Sequence, residues 1–271
     1  MIADRHTTRL ATALITALLA SGVLSARAAP KPAEDKAGDA PLPPIMHVDP
    51  LDEGRASAMH RGRNPHARLT PGQHIEVALK HFTEGRAPQA LAALSQALLQ
   101  YPKSAELYNV RASIELNEGD TTDALSDIEQ AVRLNPENPL YHVVRAQIYL
   151  KFERQAEAMA DLNKAVELNP DLVPARFNRG ALLAYQGKNR QALADFDHCI
   201  AVDPHLPAPY FNRGSLYYTL GEKQKARDDL RRFIQIAPAE SWKQSARDLL
   251  KAWDETERGH VADSTPAGDK P

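Results

Sequence analysis

The sequence predicts an all-α protein, a solenoid of helix hairpins, and three observations carry that prediction. Five prolines, Pro102, Pro136, Pro170, Pro204 and Pro238, stand 34 residues apart. Twelve residues before each comes alanine, at Ala90, Ala124, Ala158, Ala192 and Ala226. Between them lie a large apolar residue (Leu94, Ile128, Leu162, Phe196, Leu230) and a further apolar position, mostly small, at Ala97, Ala131, Ala165, Cys199 or Phe233, so these positions recur at helical spacing. Independent turns do not keep one spacing through five rows without insertion, whereas a repeated structural unit does.

Rows started at Pro71, Ala105, Pro139, Val173 and Pro207 also carry a small residue in their first halves, Ala78, Ala112, Ala146, Gly180 or Gly214. Small side chains in both halves let two helices approach closely, and Gly85, Gly119, Gly187 and Gly221 break the chain between them. Each row is therefore a hairpin closed by proline, over residues 71–104, 105–138, 139–172, 173–206 and 207–240. Thr70, Pro71 and Gln73 supply an N-cap, a first-turn proline and a capping-box partner for the first helix. Ser241 and Gln244 repeat the signal and open a capping helix over 241–254, with Trp242, Ala246, Leu249 and Trp253 on one side and charged residues on the other. Those two tryptophans are the only ones in the chain, and burial against the fifth hairpin accounts for them better than a ligand does.

The rows resemble the tetratricopeptide repeat in period and in the positions of small residue, aromatic and proline. Rows four and five match best, reading Phe177, Asn178, Arg179, Gly180 and Phe211, Asn212, Arg213, Gly214. The resemblance covers roughly residues 71 to 256 and implies a right-handed α-solenoid of five helix-turn-helix repeats with a C-terminal capping helix. Row one departs most, with His74 at the usual aromatic position, Val77 and Ala93 where later rows are charged, and Pro88 at the start of its second helix. End repeats of solenoids are commonly atypical because they lack one neighbour.

Arg111, Arg145, Arg179 and Arg213 stand immediately before the small residue of rows two to five, and Asp127, Asp161, Asp195 and Asp229 stand sixteen residues later. Both are absent from row one, and a shared absence points to contact: an ion pair clasping the two helices of each hairpin through two hydrogen bonds. Desolvation offsets most of the attraction, so the pair sets geometry more than stability.

The resemblance further implies a concave groove lined by first-helix residues, here Asn109, Ser113 and Leu116; Val143, Gln147 and Leu150; Phe177, Asn178, Ala181 and Tyr185; Phe211, Asn212, Ser215 and Tyr218. In related proteins the asparagine at the Asn178 and Asn212 position holds the backbone of an extended peptide, a task suited to an amide that both donates and accepts. Tyr185 and Tyr218 would add amphipathic contact area, and packing against the next hairpin suits them equally. The Lys or Arg that grips a terminal carboxylate in chaperone-binding members is missing, since Val143, Gln147, Ala208 and Asn212 occupy those positions.

Outside the rows the chain changes character. Arg5 and Arg9 precede an uncharged run from Leu10 to Leu24, and Ala26-Arg27-Ala28 offers small residues at a cut, which together predict a cleavable signal peptide over 1–28. A run of 15 residues is shorter than the roughly 20 that span a bilayer. No cysteine follows it to take a lipid, so the predicted location is periplasmic or secreted. Residues 29–69 hold seven prolines, mixed charges and no helical period, the composition of a disordered arm; residues 255–271 form a polar tail expected to be disordered too.

Composition excludes several functions. The 33 basic and 35 acidic residues nearly cancel, and removing Arg5, Arg9, Arg27 and Asp4 with the signal leaves 30 against 34, so nucleic acid binding through a basic face has no support. Cys199, the single cysteine, fills a slot held by alanine in three other rows and is expected to be small buried packing. His47, His60, His66, His74 and His81 match no compact ligand spacing. No catalytic, metal or cofactor motif is present, and no cofactor is expected. The expected function is a non-enzymatic protein or peptide adaptor of the cell envelope that binds an extended segment in its groove. The alternative is a structural subunit of an envelope assembly or secretion complex, docking through its convex face or helical end.

Overall fold

The structure, a computed structural model, describes residues 69–263, with side chains as far as Glu255. The predicted signal peptide, the arm up to residue 68 and the last eight residues lie outside the described residues. Among those described there are eleven helices and no strand. They are α1 Pro71–Thr83, α2 Ala87–Gln100, α3 Ala105–Glu118, α4 Thr121–Leu134, α5 Pro139–Lys151, α6 Gln155–Leu168, α7 Val173–Tyr185, α8 Asn189–Val202, α9 Pro207–Thr219, α10 Lys223–Ile236 and α11 Glu240–Asp263. The fold is a helical solenoid divided into two compact units, the first ending at Arg179 and the second beginning at Gly180, both within α7.

In the first unit α1 packs on α2, α3 on α4 and α5 on α6, and the first helices also touch one another, α1 with α3 and α3 with α5. Thr70 caps α1 reciprocally with Gln73, its hydroxyl accepting from the Gln73 N–H while its own N–H donates to Gln73 Oε1 at 2.9 Å. The recurring alanines Ala78, Ala90, Ala112, Ala124, Ala146 and Ala158 are wholly buried, which is what lets the paired helices approach. Leu94, Ile128 and Leu162 sit beside them with no exposed surface, each contributing about 2 kcal/mol by leaving water.

The second unit joins the latter half of α7 to α8, and α9 to α10 and α11. A methyl group added at Gly214 would stand 3.1 Å from the Ala226 carbonyl oxygen and from Asp229 Cβ, so glycine here lets α9 and α10 approach closely. Trp242, Ala246, Leu249 and Trp253 of α11 all pack against the preceding helices.

Three features differ from expectation. Where the other hairpins turn through glycine at φ between 72° and 95°, the third turns through Glu153 at φ 60°. Helix α11 begins at Glu240, one residue before the expected start, and Gln244 donates to Asp248 at 2.9 Å. The same helix runs nine residues past the predicted end at 254, replacing the first part of the expected disordered tail. Apolar periodicity stops at Trp253, but pairs such as Lys251 with Glu255 continue to favour the helical backbone.

The marker prolines have a partner that their spacing alone does not disclose. His142 Nε2 lies 2.8 Å from the Pro136 carbonyl, Arg176 Nε donates to that of Pro170, and the Tyr210 hydroxyl donates to that of Pro204 at 3.3 Å. A side chain six residues on thus holds the carbonyl at which the second, third and fourth hairpins end.

Candidate functional site

Arg111, Arg145 and Arg213 are each held by the carboxylate on the second helix of the same hairpin. Arg145 Nε and Nη2 both donate to Asp161 at 2.7 Å, and Arg213 does the same to Asp229 at 2.8 and 2.7 Å. Arg111 reaches Asp127 with Nη2 at 2.8 Å and with Nε. Arg179 and Asp195 fall on opposite sides of the boundary between the units. The aspartates are 5–6% exposed in the three contacts described. Hydrogen bonding to Asp229 raises the Arg213 guanidinium above its ordinary range against the opposing effect of burial. Burial pushes the Asp161 carboxyl up, but its bonds from Arg145 and His142 outweigh that and hold it below the usual carboxylate range.

The remaining nitrogen of the guanidinium does something the pairwise reading missed. Nη1 of Arg111 donates to Ser95 at 3.0 Å, that of Arg179 to Asn163 at 3.2 Å, and that of Arg213 to Asp197 at 2.6 Å. These acceptors lie sixteen residues before the arginine, on the second helix of the preceding hairpin, so Arg111 and Arg213 staple neighbouring hairpins as well as closing their own, and Arg179 reaches the preceding hairpin in the same way. Glu129 holds the matching position before Arg145. The signal was a polar residue sixteen places upstream, concealed because its identity changes from row to row.

The groove positions divide. Asn109, Phe177 and Asn178 are 1% exposed and Gln147 is 2% exposed, so these four first-helix side chains offer almost no surface to solvent. For Asn109 and Gln147 the cause is the direct contact between α3 and α5, which closes the flank of each first helix. Ser113 and Ser215 are half-buried and give their hydroxyl protons to the carbonyls of Asn109 and Phe211, both at 2.9 Å. Phe211 packs on Phe233 with ring centroids 5.2 Å apart. Tyr218 lies flat on Trp253, centroids 4.0 Å apart and planes 5° apart, so its face is taken by α11. Tyr185 is half-buried at the end of α7.

Two groove amides have polar atoms with nothing to bond. Asn109 Oδ1 in the first unit and Asn212 Nδ2 in the second are buried and have no hydrogen-bond partner. Such groups are uncommon in folded proteins and each one calls for an explanation. Glu115 Oε2, His74 Nε2 and His81 Nδ1 are likewise buried with no hydrogen-bond partner. Burial, followed by the nearby Asp127 charge, pushes the Glu115 carboxyl up to about 7. Among the described residues no cluster of three His, Cys, Asp or Glu side chains could hold a metal ion, and Cys199 is buried.

The sequence profile of the tetratricopeptide repeat matches residues 78–128, 112–173 and 177–241, more than half of the chain. The chain belongs to the tetratricopeptide repeat family. Proteins of this family mediate protein–protein interactions and are generally not catalytic. No curated protein matches this tetratricopeptide repeat chain. Among solved structures it is similar to YrrB, described as a TPR protein with an unusual peptide-binding site, at 26% identity over 65% of this chain and 91% of that one, TM-score 0.50. A tetratricopeptide repeat protein from Parabacteroides merdae is 24% identical over 73% and 77% of the two chains, TM-score 0.58. TTC0263, a thermophilic TPR protein of Thermus thermophilus, is 20% identical over 66% and 96%, TM-score 0.55. The last two share the fold.

Proposed function

We propose that this tetratricopeptide repeat protein is a non-enzymatic adaptor of the cell envelope that binds extended protein segments along its first helices. One observation carries the reading: Asn212 Nδ2 and Asn109 Oδ1, on groove-facing helices of the two units, are a buried donor and a buried acceptor with empty positions. A peptide main chain offers the complementary carbonyl and N–H, and would repay the desolvation already incurred. The peptide-binding site of the similar YrrB supports this class of ligand. The envelope location rests on the signal-like residues 1–28, and among the described residues no helix is long and apolar enough to cross a membrane.

A second reading has its own observation. Leu99 on α2 is 77% exposed where the other rows place Arg133, Glu167, Ala201 and Gln235, and Val77 on α1 is 42% exposed. An apolar surface at the first hairpin suits a structural subunit that docks by its end or convex side.

Photo-crosslinkers placed at Ser215 and at Leu99 separate the two in native envelopes. The groove reading expects capture from Ser215 that Asn212→Ala abolishes in a folded protein. Capture from Leu99 alone, unaffected by Asn212→Ala, would favour the structural subunit.

A further inference from the structure

The slot before the small residue marks the side of a first helix on which the preceding hairpin sits, because Arg111, Arg179 and Arg213 reach from it to Ser95, Asn163 and Asp197 of that hairpin. Among the described residues no hairpin precedes the first. Its arginine slot holds Val77, 42% exposed, and its aspartate slot holds half-buried Ala93, so the seam that an ion pair closes elsewhere is apolar here. Helix α2 carries no charged side chain. His74 and His81 flank Val77 on one side of α1, three residues before it and four after, and each has a buried ring nitrogen with no hydrogen-bond partner. Leu99 belongs elsewhere, since its slot holds exposed Arg133, Glu167 and Gln235 in hairpins that do have a preceding neighbour. We propose that residues 45–51 of the arm, Ile45 to Leu51, lie across the face marked by Val77 and Ala93 and cap the first hairpin where a preceding hairpin would pack.

The exit point of the arm, its composition and its length select this occupant. The Tyr101 hydroxyl donates to the Leu69 carbonyl at 2.7 Å, and the His74 ring stands edge-on to the Tyr101 ring with centroids 6.1 Å apart. The arm therefore leaves beside the stripe that carries Val77. Residues 40–48 are its longest run without a charge, and Ile45, Met46, Val48 and Leu51 gather large apolar side chains between Asp39 and the charged stretch that follows, Asp52, Glu53 and Arg55. Pro43, Pro44 and Pro50 favour extended backbone around them. Three extended residues advance about 10 Å, which is about the separation of His74 and His81 along α1, so one strand of main chain matches both rings. The 18 residues from Asp52 to Leu69 span about 23 Å as a flexible coil, close to the roughly 20 Å length of α1. A tether matched to its target holds the segment at about millimolar effective concentration, well above that of a second copy in dilute solution. No groove residue takes part, so the cap does not rest on the groove reading, and Leu99 is left to a partner.

A benzophenone side chain placed at Val48 of the whole chain tests the cap. Irradiation should give crosslinks at monomer mass that map to residues 71–100 and whose yield does not change on dilution. Val77→Asp, at an exposed position, should lower that yield severalfold without changing the melting temperature, and so should Ile45→Asp, which alters the arm alone. Crosslinks at dimer mass would put a second copy on the face and overturn the proposal. So would crosslinks scattered over the chain or concentrated on other hairpins, a yield unmoved by both variants, or no crosslink at all.

Discussion

Arg213 and Asp229 meet through two parallel bonds of 2.8 and 2.7 Å, and the same guanidinium reaches back to Asp197 at 2.6 Å. The two carboxylates differ in surroundings, with side chains 9% and 53% exposed respectively. An exposed partner adds little because water and salt screen it, whereas removing a buried one strands the charge opposite. Asp229→Asn should therefore cost about 2 to 3 kcal/mol, below the usual figure for a buried pair because Arg213 retains some contact with water. Asp197→Asn should cost under about 1 kcal/mol. Urea unfolding of the two variants measures both, and equal losses would mean that the closing and stapling bonds are not distinct.

Glu153 occupies the left-handed turn that glycine fills in the other hairpins, at φ 60°. A side chain there costs about 1 to 2 kcal/mol, part of which glycine returns through the greater entropy of its unfolded chain. Glu153→Gly should raise stability by up to about 1 kcal/mol and shift the melting temperature upward. A fall in stability would show that Glu153 makes a compensating contact, for which its exposed position gives no basis.

The elements visible in the sequence are those whose chemistry allows few residue types. A helix seam that admits only Ala or Gly repeats visibly, as at Ala112, Ala146 and Gly214, and a two-bond partner for arginine must be a carboxylate, as at Asp127, Asp161 and Asp229. The stapling acceptor has no such restriction: Ser95, Asn163 and Asp197 all accept one N–H, so their common role leaves no common letter. Burial of Asn109 and Gln147 was not legible either, because it depends on how closely α3 and α5 approach, a property of the stack and of no single row. The length of α11 escaped for a third reason: its final turns have no apolar face to betray them.

Tyr218 and Trp253 stack in parallel at 4.0 Å, fixing the end of the second unit. Trp253 is 7% exposed and also touches the group formed by Ala226 and Leu230. Trp253→Ala should cost about 3 kcal/mol and release part of α11, seen as lost helical circular dichroism before the main unfolding transition. Trp253→Phe retains a ring for Tyr218 to cover and should cost about 1 kcal/mol. A Trp253→Ala protein with unchanged stability but lost binding would instead mark the tryptophan as a ligand contact.

Glu115 makes stability depend on pH in a direction opposite to most carboxylates. Its folded value of about 7 lies above the ordinary 4.5, because burial and the Asp127 charge disfavour the ionised form. The folded protein therefore binds a proton that the unfolded chain has released, so stability falls as pH rises from about 4.5 and the loss is complete above about 7. At 1.36 kcal/mol per unit, this one group costs about 3 kcal/mol at alkaline pH and nothing in acid. Glu115→Gln retains the shape and removes the charge. It should match the parent protein at about pH 4.5 and exceed its stability by up to about 3 kcal/mol at about pH 8, with the difference growing through the interval between. Unfolding free energies at a series of pH values give the curve directly, and a constant offset across the series would show that Glu115 is not the titrating group.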